Sequence, residues 1–233
     1  MFSDERPLFR LRCPFGTPIE VQPSLVMLLA FFVLLSGART PDQLSQVLIV
    51  VGLIVLAILL HELGHAWGAW VQGVPVQRVV LYGGGGLCFH ARADRRADEF
   101  IAAMGPLTNL ALWAIFSILA PRVMDAGLET RATDDTLLLA GFYMEVFASF
   151  NLFLAVLNLI PIQPLDGGRL LLHALMRHHP PVRATILAGR VGMFACALYP
   201  VSMLYALVTF GWIFLFFPSF ALHRAMAQGQ RVV

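Results

Sequence analysis

Residues 46–72 read QVLIVVGLIVLAILLHELGHAWGAWVQ, an apolar stretch that contains two histidines and one glutamate. At about 1.5 Å per residue, a helix of this length crosses the roughly 30 Å hydrocarbon core of a bilayer. An ionisable side chain inside such a helix costs about 3 kcal/mol unless it faces a polar cavity, a partner or a metal ion. The stretch therefore predicts a transmembrane helix that carries a functional site.

The two histidines of this stretch, His61 and His65, lie one helical turn apart. Their side chains project from one face at a spacing of about 6 Å, so two imidazole nitrogens can bind one metal ion. Glu62 is rotated by about 100 degrees from His61, which places it to act on the attacking water as a general base. The pattern predicts a hydrolytic zinc site, and the alternative is a buried polar cluster that bonds to another helix.

A catalytic zinc needs a third protein ligand, for which Asp or Glu is a common choice. Glu145 lies inside a predicted span, whereas Asp166 lies in the segment NLIPIQPLDGG at residues 158–168. The two prolines of this segment interrupt a helix and allow the chain to turn. Asp166 is therefore the preferred ligand candidate, and the glycines after it permit either close approach to the metal or a simple turn before the next helix.

The composition of the chain agrees with a membrane protein. Of its 233 residues, 58% are hydrophobic and only 13% are charged, which is more apolar surface than a soluble domain of this size can bury. The formal net charge of +2 is too small to indicate binding to nucleic acid. The three cysteines are far apart and lack CxxC spacing, so they predict neither a disulfide framework nor a cysteine zinc site.

Apolar runs predict an all-α polytopic membrane protein with about six transmembrane helices, near residues 22–37, 46–72, 98–120, 136–160, 183–199 and 201–222. Pro200 either marks a turn between the last two spans or kinks one longer helix, which leaves five spans as an alternative. The predicted organisation is a cytoplasmic N-terminal segment at 1–21, a membrane domain at 22–222 and a cytoplasmic tail at 223–233.

A small membrane-associated β-hairpin is predicted between the second and third spans. Val76–Tyr82 and Leu87–Ala91 are strand-like, and four glycines at 83–86 separate them. No Lys-Ser or Lys-Thr follows these glycines, so a turn near the membrane surface is preferred to a phosphate-binding loop.

The distribution of arginine predicts the orientation, because short cytoplasmic segments of membrane proteins carry the positive excess. With the N-terminus inside and six spans, three arginines lie outside, at positions 39, 122 and 131, and twelve lie in cytoplasmic segments, at positions 6, 10, 12, 78, 92, 95, 96, 169, 177, 183, 224 and 231. The loop at 121–135 is acidic, as expected for the outside. Both termini are therefore predicted to be cytoplasmic, in an integral protein of a prokaryotic inner membrane.

A second polar group lies on the predicted cytoplasmic side, at His90, Arg92, Asp94, Arg95 and Arg96. These residues could line a water entrance to the metal, although a solvated cluster at the membrane surface is the preferred interpretation.

Three motifs together resemble the site-2 protease family of intramembrane metalloproteases: HELGH at 61–65, GPLTN at 105–109 and the segment 158–168. The stretch FGTP at 15–18 is also similar to the segment that precedes the first span in that family. The resemblance implies zinc bound by His61, His65 and Asp166, with Glu62 activating water. It further implies that Asn109 positions substrate or stabilises the oxyanion, although Asn109 could equally hold helices together. One departure is Gln163, where the family commonly has proline.

The expected activity is hydrolysis of a peptide bond within or next to a transmembrane segment of a membrane-anchored regulatory protein, which releases a cytoplasmic fragment. The substrate helix must unwind locally, and an edge strand in the region 76–91 could hold the unwound segment. Two alternatives remain from the sequence. One is a noncatalytic membrane scaffold of the same fold, and the other is a metal transporter, for which further ligands along several spans are expected.

Overall fold

The computed structural model of the chain describes residues 6–13, 16–129, 135–210 and 218–230. These residues form seven helices, namely α1 (Pro23–Leu35), α2 (Pro41–Val71), α3 (Arg95–Glu129), α4 (Thr136–Asn158), α5 (Asp166–Leu175), α6 (Pro181–Phe210) and α7 (Phe220–Ala227). They also form four strands, namely β1 (Phe9–Arg12), β2 (Pro18–Val21), β3 (Val76–Tyr82) and β4 (Gly85–His90). The predicted fold class, a helical membrane protein with a small β element, is confirmed.

Within the described ranges, four helices are long and apolar enough to cross a membrane: α2, α3, α4 and the part of α6 from Pro181 to Val201. The first predicted span corresponds to α1, whose 13 residues extend only about 20 Å. Pro200 lies inside α6, so it does not separate two helices there. The remainder of the sixth predicted span includes residues 211–217, which lie outside the described residues.

Helix α3 continues beyond residue 120, the predicted end of the third span. It runs through Pro121 to Glu129, so most of the predicted acidic outside loop is helical. Proline lacks the N–H of one backbone hydrogen bond, and a long membrane helix tolerates that loss where neighbouring groups compensate. Residues 130–134, including Arg131, are not among the described residues.

The β element is a four-stranded sheet in the order β1-β2-β3-β4, larger than the predicted hairpin. Strand β3 pairs with β4 in an antiparallel manner, as expected. Strand β2 pairs with β3 in parallel, with Ile19 opposite Val79, and antiparallel β1 completes the sheet. The FGTP stretch thus leads into β2, although its Phe15 is outside the described residues.

The sheet packs beside the part of α2 that carries the histidines. Buried Ile19 of β2 and Val79 of β3 contact Ala66 of α2. A second apolar cluster joins Val21 and Leu25 to Leu81, with half-buried residues of α2 around it. The sheet therefore lies alongside the His-Glu-x-x-His turn.

The two ends of α2 follow from local sequence. Thr40 caps the first turn by accepting a hydrogen bond from the backbone N–H of Gln43, whose side chain bonds back to the backbone N–H of Thr40. After Val71 the chain reverses at Gly73, which has a φ of 69 degrees that a residue with a side chain rarely adopts. These two signals fix the helix bounds on either side of the apolar run.

Helix α3 approaches α2 closely because two glycines of α2 face it. A Cβ built at Gly64 would overlap Thr108, and one at Gly68 would overlap Met104. Small residues at such an interface let the backbones of two membrane helices come together. This close packing brings the start of α3 against the rings of the two histidines.

Candidate metal centre

The three predicted metal ligands meet at one point inside the protein. The Nε2 atoms of His61 and His65 are 3.1 Å apart, and each is 3.2 Å from Oδ2 of Asp166. All three residues are buried. Zinc bonds of about 2.0–2.1 Å at tetrahedral angles set ligand atoms roughly 3.4 Å apart. The spacing therefore fits a single zinc ion.

The protonation of the two imidazoles supports this fit. Nδ1 of His61 faces the amide oxygen of Asn109, and Nδ1 of His65 faces the carbonyl oxygen of Ile101 at 2.7 Å. Each Nδ1 must carry the proton, since both partners are acceptors, and each Nε2 then presents a lone pair. Asp166 Oδ2 has no hydrogen-bond partner in the described part of the chain. With neutral imidazoles, the two lone pairs and the carboxylate oxygen converge and form a site for a cation.

Asp166 reaches this point because it is the first residue of α5 and follows a tight turn. A Cβ built at Gly167 would overlap the carbonyl of Leu159, and one at Gly168 would overlap the backbone of Ile162 and Gln163. Both glycines are therefore needed where the turn packs against the start of α5. The close approach that these glycines allow is therefore to the backbone of the preceding turn.

Glu62 lies on the side of the metal group that faces the sheet. Its carboxylate contacts the backbone of β4 so closely that a Cβ at Gly86 would overlap it. The backbone of Cys88 also bonds to this carboxylate. Gly86, part of the turn predicted from four consecutive glycines, is thus needed to accommodate the general-base candidate.

Cys88 is not part of the metal-ligand group in the described residues. Burial, and then the nearby Glu62 carboxylate, raises the pKa of the Cys88 thiol to about 12, so it stays protonated at neutral pH. All three cysteines are free thiols, in agreement with their interpretation as small apolar residues.

Asn109 is fully buried and touches the site through His61. Its Oδ1 accepts from His61, and its Nδ2 donates to Oδ1 of Asn151 at 2.7 Å and to the carbonyl of Ala57 at 3.4 Å. Both of its amide hydrogens are thereby engaged within the protein. This geometry favours a role of Asn109 in hydrogen bonding between helices. Its role as an oxyanion donor stays a prediction.

Asn151 was not singled out from the sequence. It is completely buried on α4 and bonds to the Phe147 carbonyl as well as to Asn109, so it links α4 to the ligand network. The available signal was an amide in the middle of the apolar span 136–160, since such residues bond across membrane helices.

A second polar cluster fastens α5 to the start of α3. Asp98 bonds to Arg169 at 2.5 Å and to His173 at 2.7 Å, while Arg177 bonds to Glu99. Because α5 begins with Asp166, this cluster restrains the helix that supplies the third ligand. The partners are more than 70 residues apart, so no local sequence pattern indicates this cluster.

Four of the five predicted entrance residues form a surface group, whereas His90 is half-buried with its Nε2 3.9 Å from Oδ1 of Asp98. Asp94 accepts hydrogen bonds from the backbone N–H groups of Arg96 and Ala97 and so caps α3. Arg92, Arg95 and Arg96 are exposed. These positions favour the solvated cluster preferred from the sequence.

Glu145, the alternative ligand, lies away from the metal group. It is exposed on α4 and lines an open groove of about 450 Å³ between α3 and α4, together with Asp125 and Ser149. In the described residues the metal-ligand group consists of His61, His65 and Asp166.

Comparisons with known proteins agree with this architecture. The profile of peptidase family M50 matches residues 134–199. A zinc metalloprotease of Methanocaldococcus jannaschii is 26% identical over 94% of this chain and 59% of its own length. The protein Rip3 of Mycobacterium tuberculosis is 39% identical over 60% of this chain and 34% of its own length. The chain thus spans between about a third and three fifths of these curated relatives.

A solved structure has the same fold. The site-2 protease from Methanocaldococcus jannaschii superposes with a TM-score of 0.60 at 24% identity, covering 97% of this chain and 96% of that one. The chain therefore has the fold of that structure, with four candidate membrane helices, a small sheet and a buried His-His-Asp group among its described residues. The chain is thus similar to peptidase family M50 and to curated zinc metalloproteases, which confirms the resemblance seen in its motifs.

Proposed function

We propose that the protein is an intramembrane zinc metalloprotease that cleaves a membrane-anchored regulatory protein within or next to its transmembrane segment. The observation that carries this proposal is the convergence of two imidazole nitrogens and one carboxylate oxygen, on His61, His65 and Asp166, beside the Glu62 carboxylate. Two imidazoles and one carboxylate that leave a position open are the donor set of a catalytic zinc.

His61, His65 and Asp166 hold the metal, and Asn109 and the Ile101 carbonyl orient the two rings. The chemistry that a zinc ion held there would supply is polarisation of the scissile carbonyl and a lower pKa of the attacking water. Glu62 takes the proton from the attacking water on its carboxylate and later delivers it to the leaving amine. The contact with β4 holds that carboxylate in place through both proton transfers.

Strand β4 provides the surface for the unwound substrate. It pairs with β3 on one side, and among the described residues its other edge carries no strand. An extended peptide can add to such an edge through main-chain hydrogen bonds. Since Gly86 of β4 contacts Glu62, a peptide on this edge passes close to the general base.

The proposed orientation places the sheet, the start of α3 and both termini in or near the cytoplasm of a prokaryotic cell. The parallel pairing of β2 with β3 supports one part of this, because it puts the segment before α1 and the segment after α2 on the same side. His65 precedes the end of α2 by six residues, or about 9 Å. Cleavage at that depth releases the cytoplasmic part of the substrate.

The two other functions fit the site less well. A transporter requires a series of ligands across the bilayer, whereas the described residues contain one compact group of three. A noncatalytic scaffold has no need for a glutamate enclosed beside the metal ligands by Gly86.

The deciding experiment compares purified wild type, Glu62→Ala and Asp166→Ala. Zinc content and cleavage of a model single-span substrate are measured in detergent or liposomes. We expect wild type to bind zinc and cleave, Glu62→Ala to keep zinc and lose activity by about 10²–10⁴-fold, and Asp166→Ala to lose zinc affinity. Equal cleavage by all three proteins would refute the catalytic assignment, and zinc-loaded wild type that cleaves no membrane-anchored substrate would favour the scaffold.

A further inference from the structure

His223, the first residue of the predicted cytoplasmic tail, is buried against α6. It lies on α7 with 1% of its surface exposed. Helix α6 makes room for it, because a Cβ at Gly192 would overlap the imidazole ring and one at Gly189 would overlap the backbone of Ala227. The close packing of α6 with α7 therefore surrounds a polar ring.

Both nitrogens of this ring have defined partners. Nδ1 donates to the carbonyl of Ser219 at 2.8 Å, the residue that also caps α7. Because Nδ1 carries the proton, Nε2 is an acceptor, and it receives the backbone N–H of Gln163 at 2.9 Å. The ring thus connects α7 to the turn that precedes Asp166.

Among the backbone N–H groups of the turn at 159–165, that of Gln163 has a partner distant in sequence. The prolines at 161 and 164 have no N–H to donate. In the described structure the remaining N–H groups from 159 to 165 bond locally, to the carbonyls of Ala155, Leu157, Ile160 and Ile162, except for that of Gln163. Gln163 is the residue at which the chain departs from the proline common in the family, and a proline could not make this bond.

We propose that His223 is a positioning residue of the metal centre, which holds the turn at 159–165 through the Gln163 N–H so that Asp166 meets His61 and His65. The proposal rests on the proposed function, since it takes Asp166 as a metal ligand. Loss of the bond frees the turn three residues before the carboxylate and moves Oδ2 from its place 3.2 Å from both imidazoles.

The test replaces His223 with two side chains of different length, in the variants His223→Gln and His223→Asn. A Gln side chain extends about as far as Nε2 of histidine and can accept the Gln163 N–H, whereas an Asn side chain extends only about as far as Nδ1. Gln163→Pro removes the donor and leaves His223 unchanged. Met226→Ala, a truncation of a buried residue on the same helix, is the control for loss of packing.

Two properties of the full-length protein in detergent are measured. One is amide hydrogen exchange in the segment 159–165 without metal, and the other is zinc affinity by competition with a chelator. We expect His223→Asn and Gln163→Pro to exchange roughly fivefold faster in this segment and to bind zinc about tenfold more weakly. His223→Gln and Met226→Ala are expected to match wild type in both.

Unchanged exchange and zinc affinity in His223→Asn would overturn the proposal, as would equal losses in Met226→Ala, which would show a general effect of packing. Wild type that binds no zinc, with the expected exchange pattern, would instead refute the proposed function and with it the metal role of His223. The hydrogen-exchange measurement therefore distinguishes failure of the positioning role of His223 from failure of the proposed function.

Discussion

The two parts of α2 show opposite environments within one continuous helix. From Pro41 to Leu60 the buried residues are Val51 and Ala57, and large apolar side chains such as Leu48 and Leu56 are exposed. From His61 to Ala69 most residues are buried, and they are either polar or small. In lipid, large apolar side chains gain nothing by turning inward, so the enclosed positions are left for close packing and for chemistry.

The contrast between the two parts of α2 is tested most strongly at Gly105 of α3, which packs against the buried part from His61 to Ala69. A side chain there would overlap Nε2 of His65 and Cε1 of His61. We expect Gly105→Val to lower zinc affinity by more than about 100-fold, since it displaces two ligands. Zinc binding by equilibrium dialysis measures the effect.

The matched control is Gly52→Val in the lipid-facing part of α2, where a Cβ meets nothing within 4 Å. It should leave zinc affinity unchanged. Normal zinc binding by Gly105→Val, or an equal loss in Gly52→Val, would contradict the division of the helix into two environments.

A smaller effect is expected at Asn109, which contacts a ligand without being one. Asn109→Leu removes the acceptor that fixes the His61 ring and should weaken zinc binding by about 10–100-fold. Ser117→Ala, on the exposed face of the same helix, serves as the control and should bind zinc normally. If Asn109→Leu binds zinc as wild type does but loses cleavage, Asn109 acts on the substrate and the oxyanion role is restored.

The smallest effect concerns stability without metal. Gly64→Ala forces a Cβ against Thr108 and the Met104 carbonyl, which should destabilise the protein by about 1–3 kcal/mol. Gly52→Ala has open space around it and should be neutral or stabilising by about 0.5–1 kcal/mol, because alanine favours helix. Thermal unfolding of the zinc-free proteins in one detergent distinguishes them, and similar midpoints for the two variants would argue against close packing of α2 and α3.

Sequence reasoning was most successful where the signal was local. His61, Glu62 and His65 lie within one helical turn, so the helix alone places the two imidazoles together. Asp166 could be predicted because prolines and glycines around it indicate a turn, and few other acids were available. For Asn109, sequence left two roles open, and only the positions of His61 and Asn151 distinguish between them.

Features that depend on distant pairs were missed. The β2–β3 pairing joins residues separated by two helices, so periodicity within either segment predicts at most a local hairpin. The hydrogen bond between Gln163 and His223 joins residues 60 positions apart. It depends on glycines of α6 that, in the sequence, are simply small residues within an apolar run. Among the described residues, α1 is shorter than the first predicted span, and α6 continues through Pro200, which is one of the two alternatives that the sequence left open.

The parallel pairing of β2 with β3 also imposes an order on biosynthesis. Ile19 leaves the ribosome 60 residues before its partner Val79, and the whole α1–α2 hairpin is made between them. Strands β2 and β3 can therefore pair only after both α1 and α2 have been synthesised. Since β4 follows β3 in the chain and contacts Glu62, the general-base candidate is enclosed only after that segment is complete.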